Sequence, residues 1–180
     1  MNRMFWSAGL LACVVVFPAH AAPDQRLVDC DRGQSIQGAL ARADSGDTII
    51  IKGTCAGGIN IRKNRLTLKG VNGAVVDGQG KDAISIIGAV EVALVDLEIK
   101  SGRNGIVATA GAQFSLKNAN VHDHATTGVS MRDNTSATLA ESQTSHNGVN
   151  GVSVENSSSL TITGNFTAEA NGVFGIVGPH

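Results

Sequence analysis

The sequence predicts an all-β solenoid, on three observations. Short apolar segments recur at nearly constant spacing, each alternates with a period of two, and turn-forming residues fill the intervals. Five segments share one pattern: Ala83-Ile84-Ser85-Ile86, Gly105-Ile106-Val107-Ala108, Gly128-Val129-Ser130-Met131, Gly151-Val152-Ser153-Val154 and Gly175-Ile176-Val177-Gly178. Their second residues lie 22, 23, 23 and 24 apart. A second column reads Val92-Ala93-Leu94, Phe114-Ser115-Leu116, Ala137-Thr138-Leu139 and Leu160-Thr161-Ile162. A third reads Leu97-Glu98-Ile99, Ala119-Asn120-Val121 and Ser142-Gln143-Thr144, fading at Asn165-Phe166-Thr167.

A strand with one apolar face cannot bury that face alone, so each coil needs the coils above and below it. Stacking places equivalent strands side by side in three parallel sheets along the axis. The predicted fold is therefore a right-handed parallel β-helix, a solenoid of 22- to 24-residue coils. Its inward ladders are Ile84/Ile106/Val129/Val152/Ile176 and Leu94/Leu116/Leu139/Ile162. With 22 Gly, no Tyr and 3% aromatics, a globular core built on aromatic rings is excluded.

From the amino end, Met1 to Met4 carry one charge, Arg3; Phe5 to Pro18 are mainly apolar, and Ala19-His20-Ala21 is a small-x-small site. Residues 1–21 read as a secretory signal peptide, and 22–180 as one β-helix domain, secreted or periplasmic. Leu10-Leu11-Ala12-Cys13 supports a rival lipoprotein reading. No second apolar stretch is long enough to span a bilayer, so no membrane contact is expected of the mature form. Removing Arg3 takes the net charge from −1 to −2, which leaves no basic field for nucleic acid. Cys30 and Cys55 are expected to form a disulfide, worth roughly 3 kcal/mol.

The run Ser35 to Ala43 places apolar residues at 36, 39, 40 and 43, a helical spacing, with Ser35 as its cap. Such a helix would cover the open amino end of the solenoid, where unpaired edges invite aggregation. At the other end, Gly175 to His180 enter a new coil with no amphipathic cap after them. A partner or a second copy is expected to cover that coil, unless the chain is a shortened relative of a longer protein.

Ser35-Ile36-Gln37, Ala39-Leu40, Gly46-Asp47-Thr48-Ile49-Ile50-Ile51 and Gly53-Thr54 resemble the amino-terminal entry of pectin-lyase-like β-helix proteins. Gly73-Ala74-Val75-Val76-Asp77-Gly78-Gln79-Gly80 is similar to a turn after an early coil in that superfamily. The resemblance implies the fold. Its members include lyases, hydrolases, epimerases and non-catalytic proteins, so activity does not follow from it.

In that superfamily a sugar chain lies across several coils on the outer face of one sheet. The outward positions of the first column, Ser85, Val107, Ser130, Ser153 and Val177, carry no titratable group. The third column is more polar, with Asp96/Asn118/Glu141 and Glu98/Asn120/Gln143 as candidate binding rows. Asp96 and Glu141, two coils apart, would stand at the roughly 10 Å of an inverting carboxylate pair. The turn His122-Asp123-His124, with His146 one coil on and Glu169 beyond, is the candidate for acid/base work or metal ligation. Exposed turn residues without an ordering group argue against a ligand set, and no resident metal or cofactor is expected; calcium would be needed only by a lyase. Arg62, Lys63, Arg65 and Lys69 form a small basic cluster that could grip an acidic glycan. The reading favoured by these residues is a non-catalytic polysaccharide-binding or surface-interaction module. The alternatives are a lyase or epimerase of acidic glycans, or an inactive remnant.

Overall fold

The computed structural model describes residues 22–178. The expected leader and Pro179-His180 lie outside the described residues. The chain winds through about seven turns of a parallel β-solenoid. In chain order it runs β1 (Gln25–Asp29), a 3-10 turn (Cys30–Arg32), α1 (Ile36–Arg42), β2 (Thr48–Ala56), β3 (Ile59–Ile61), β4 (Thr67–Asp77), β5 (Ile84–Ile87), β6 (Val92–Val95), β7 (Glu98–Lys100) and β8 (Ile106–Thr109). It continues with β9 (Gln113–Lys117), β10 (Asn120–His122), β11 (Val129–Met131), β12 (Ser136–Ser145), β13 (Asn150–Val154), β14 (Ser159–Glu169) and β15 (Phe174–Val177).

The expected ladders form. Ile84, Ile106, Val129, Val152 and Ile176 pair in register, and Ile59 extends the column below. Ile49, Leu68, Leu94, Leu116, Leu139 and Ile162 make the second. Cys55, Val76, Ile99, Val121, Thr144 and Ala168 make a third. Most of these side chains are fully buried, so each coil gains its core from its neighbours.

Three sheets were expected, and the strands form two. β3, β5, β8, β11, β13 and β15 make one six-stranded sheet. The other two faces are fused, because β4, β12 and β14 run unbroken through the bend that separates β6 from β7. One residue of positive φ per coil makes that bend: Asp96 (57°), Asn118 (49°) and Glu141 (47°). Asp and Asn tolerate this region best among non-glycine residues, which suits two of the three positions.

At the amino end, β1 lies at the edge of the fused sheet beside β2, a strand that the 22-residue periodicity did not disclose. α1 forms as expected, and the Ser35 hydroxyl accepts from the Gly38 amide at 3.0 Å. Gly38 suits this cap, because a Cβ there would meet the Ser35 hydroxyl. Ile36, Ala39 and Leu40 close the core, while the Gln37 side chain accepts the edge amide of Asn60 in β3 at 2.8 Å. The Cys30–Cys55 disulfide clips this cap to β2. Asp47 anchors the same entry by accepting the Asp24 and Asp44 amides, both at 2.9 Å, and these bonds hold its carboxyl below its ordinary range. Among the described residues the last coil is apolar and open, with Ile162 and Ile176 42% and 44% exposed.

Candidate functional site

The bend concentrates the polar side chains. Because a residue of positive φ reverses the pleat, the outward row Asp96/Asn118/Glu141 sits at the corner, Asp96 and Asn118 between strands and Glu141 at the irregularity within β12. The neighbouring row, Glu98/Asn120/Gln143, is in strand register and faces the same space. Together they line an open groove of about 610 Å³ along three coils. Its end wall is the segment Gly70 to Ala74, where β4 carries extra residues between its pairings Lys52↔Val71 and Thr54↔Val75. Gly70 has to be bare, since a Cβ there would strike the Asp96 carbonyl.

Asn118 Nδ2 donates to Asp96 Oδ1 at 2.7 Å. Asn120 Oδ1, enclosed in the same wall, accepts no hydrogen bond, the kind of unsatisfied group that calls for a functional explanation. The groove lining holds three carboxylates (Asp96, Glu98 and Glu141), four side-chain amides (Asn72, Asn118, Asn120 and Gln143) and no cationic side chain.

Beyond the groove lies a charged cluster. Glu98 Oε1 receives Lys100 Nζ at 3.0 Å and faces His122 Nε2 at 3.3 Å. His122 Nδ1 is 2.7 Å from Asp123 Oδ2. Partial burial opposes ionisation of Glu98, but the Lys100 ammonium and His122 outweigh it and hold the carboxyl below its ordinary range. Lys100 is raised in turn by its bond to Glu98, so the amine keeps its proton. Asp123 is lowered, chiefly by its hydrogen bond with His122.

The His turn does not assemble as expected. His122 belongs to β10 and faces outward, whereas Asp123 turns the corner at a φ of 55° and His124 points inward, 2% exposed. His124 was expected to be exposed and unordered; instead Nδ1 accepts the Gly102 amide at 3.0 Å and Nε2 donates to the Ile99 carbonyl at 3.1 Å. Gly102 and Gly105 leave the room its ring occupies. Burial pushes its pKa down, so the ring is a neutral structural rung.

The rung repeats. Asn147 Oδ1 accepts the His124 amide at 3.2 Å and its Nδ2 donates to the Val121 carbonyl at 3.4 Å. Asn171 Oδ1 accepts the Asn147 amide at 3.2 Å and its Nδ2 donates to the Thr144 carbonyl at 3.2 Å. His146 sits exposed at the corner above Asp123, and Glu169 is exposed in register with Ser145.

These five residues therefore do not converge. Among the described residues no three His, Cys, Asp or Glu side chains group as metal ligands. Calcium would need several carboxylates about one point. Asp96 is engaged by Asn118, Glu98 by Lys100, and Glu141 stands two coils from Asp96, so the donor set does not fit that ion.

Two features escaped the sequence reading. Lys100 is one; its position 22 residues before His122 could have placed it in this cluster. The other is a groove of about 540 Å³ on the β6/β9/β12/β14 face, lined by Glu91, Gln113, Ser115 and Thr138 among others. The basic cluster dissolves in part. Lys63 donates to the Ala41 carbonyl at 3.4 Å and also to that of Ala43, tying its coil to the end of α1, and Arg65 Nε donates to Ser45 Oγ at 3.2 Å.

Residues 43–178 match the family model described as "Right handed beta helix region". The chain belongs to this right-handed β-helix family. Two solved structures share its fold. An alginate lyase from Paenibacillus sp. str. FPU-7 superposes with a TM-score of 0.54 at 15% identity, covering 86% of this chain and 64% of the other. Pectate lyase Pel9A gives 0.62 at 13%, covering 86% and 56%. The β-helix described here thus spans less than two thirds of either neighbour. No curated protein matches the sequence.

Proposed function

We propose that this β-helix is an exported glycan-binding module that holds a saccharide chain in the groove at the bend, without turnover. The observation that carries the reading is the convergence of two polar rows, Asp96/Asn118/Glu141 and Glu98/Asn120/Gln143, on one groove. Side-chain amides and carboxylates are planar groups that pair with adjacent sugar hydroxyls. The rows repeat at the coil spacing of about 4.8 Å, so a chain lying along the axis meets a new rung with each coil. Export is supported by the Cys30–Cys55 disulfide, which persists in oxidising compartments. No helix among the described residues is long and apolar enough to cross a membrane.

The test is calorimetric titration of a panel of oligosaccharides into the mature protein. Replacing Asn120 and Gln143 together by Ala should weaken binding about tenfold or more, from two lost hydrogen bonds of about 1 kcal/mol each. Unchanged affinity in the double variant would sink the reading.

A second reading, acid/base chemistry on an acidic glycan, is favoured by one observation. His122 stands between Glu98 and Asp123 beside the groove, where an imidazole can move a proton. In that case a uronan assay would show unsaturated-product absorbance, abolished by His122→Ala.

A further inference from the structure

We infer that the groove selects an amino-sugar glycan, a polymer carrying protonated amines, over the uronans on which its acidic-glycan alternative would act. This inference rests on the glycan-binding reading and adds the charge class of the ligand. The groove presents Asp96, Glu98 and Glu141 and no Lys, Arg or His in its lining. Beside the groove the Lys100 ammonium is held by Glu98 and points its charge into that pair. A uronan would bring one carboxylate per sugar against these three, and like charges set face to face suppress a partner.

An aminated hexosan reverses the sign. Each ammonium is both a cation and a hydrogen-bond donor. The enclosed Asn120 Oδ1, which accepts nothing in the protein, offers a place for one such donor once the amide turns toward the ligand. The Glu98 and Glu141 carboxylates belong to the coils before and after that of Asn120, so amines on successive sugars meet acceptors on successive coils. Glu98 is already paired with Lys100, so the ligand's amines meet chiefly Asp96 and Glu141. Partly exposed ammonium–carboxylate pairs are modest singly, and two of them supply up to about tenfold in affinity.

The experiment titrates a fully deacetylated glucosamine hexamer, its N-acetylated counterpart, a neutral hexosan and an oligogalacturonate. Buffers are mildly acidic and free of divalent cations, at low and at high salt. The deacetylated hexamer should bind about tenfold tighter than its N-acetylated form. Salt should erode that margin, and so should the Asp96→Asn, Glu141→Gln double variant, which keeps the shape and the positive-φ tolerance at position 96. If the N-acetylated, neutral or uronate oligomer binds as tightly, and Asn120→Ala with Gln143→Ala still abolishes it, the charge selection is wrong and the groove reading survives. If no member of the panel binds, or binding ignores the groove substitutions, the groove reading falls and this inference with it.

Discussion

Each coil turns twice through a residue of positive φ after a strand of the fused sheet, and the two corners differ in the polar groups they hold inside. At the bend, Asp96, Asn118 and Glu141 send side chains outward into a groove. At the next corner, Ser101, Asp123, His146 and Ala170 turn the chain, and the residue that follows, Gly102, His124, Asn147 or Asn171, points in. The inward rungs saturate one another with backbone amides and carbonyls. The outward rungs are left with unused hydrogen-bonding capacity. The same backbone device therefore yields saturated inner rungs on one side and, on the proposed reading, a recognition surface on the other, and the difference lies in where the hydrogen bonds are spent.

The largest effect that would break this contrast is at Asn147. Replacing it by Leu leaves the buried His124 amide without a partner and takes one of the bonds accepted by the Val121 carbonyl. A loss of about 3 kcal/mol or more is expected in denaturant unfolding, with glycan affinity of the folded protein unchanged.

His124 comes next. His124→Ala should cost about 2 kcal/mol for its two lost hydrogen bonds and the space left around the ring. His124→Asn restores the rung used by Asn147 and Asn171, so it should recover most of that loss. A cost for Asn equal to that for Ala would show that the ring's volume, not its bonds, matters.

The pH dependence follows with its sign. Burial lowers the pKa of His124 from 6.5, so its neutral form belongs to the fold and the unfolded chain binds the extra proton. Stability should be full above about pH 6.5 and fall as the pH drops through and below it. Thermal midpoints across this range should flatten in His124→Asn.

The smallest effects belong to the outward cluster. Glu98→Gln or His122→Ala should change stability by no more than about 1 kcal/mol, since the partners are partly exposed. A larger loss would place that cluster with the structural corner.

The regular coils were legible because their ladders recur at one spacing: Leu94, Leu116 and Leu139 stand in a column that anyone can write down. Ile49, Leu68 and Leu94 belong to the same column, but the intervals are 19 and 26, so the first coils hid their register. The two polar rows of the groove were legible for the same reason, as polar residues recurring with the ladder. The bend itself was not, because positive φ at Asp96 or Glu141 leaves no mark in a period-two pattern. His124 was misplaced for a related cause. One corner residue decides whether the next side chain faces solvent or core, and the glycines that make room for the ring lie a coil away.

The central claim is that the outward amides meet the ligand while the inward amides do not. The most direct measurement is a side-chain amide spectrum of the labelled protein during titration with the tightest-binding oligosaccharide of the panel. Shifts at Asn118, Asn120 and Gln143, with Asn147 and Asn171 unmoved, are the predicted result. Shifts confined to Gln113 on the neighbouring groove, or to the inward rungs, would contradict it.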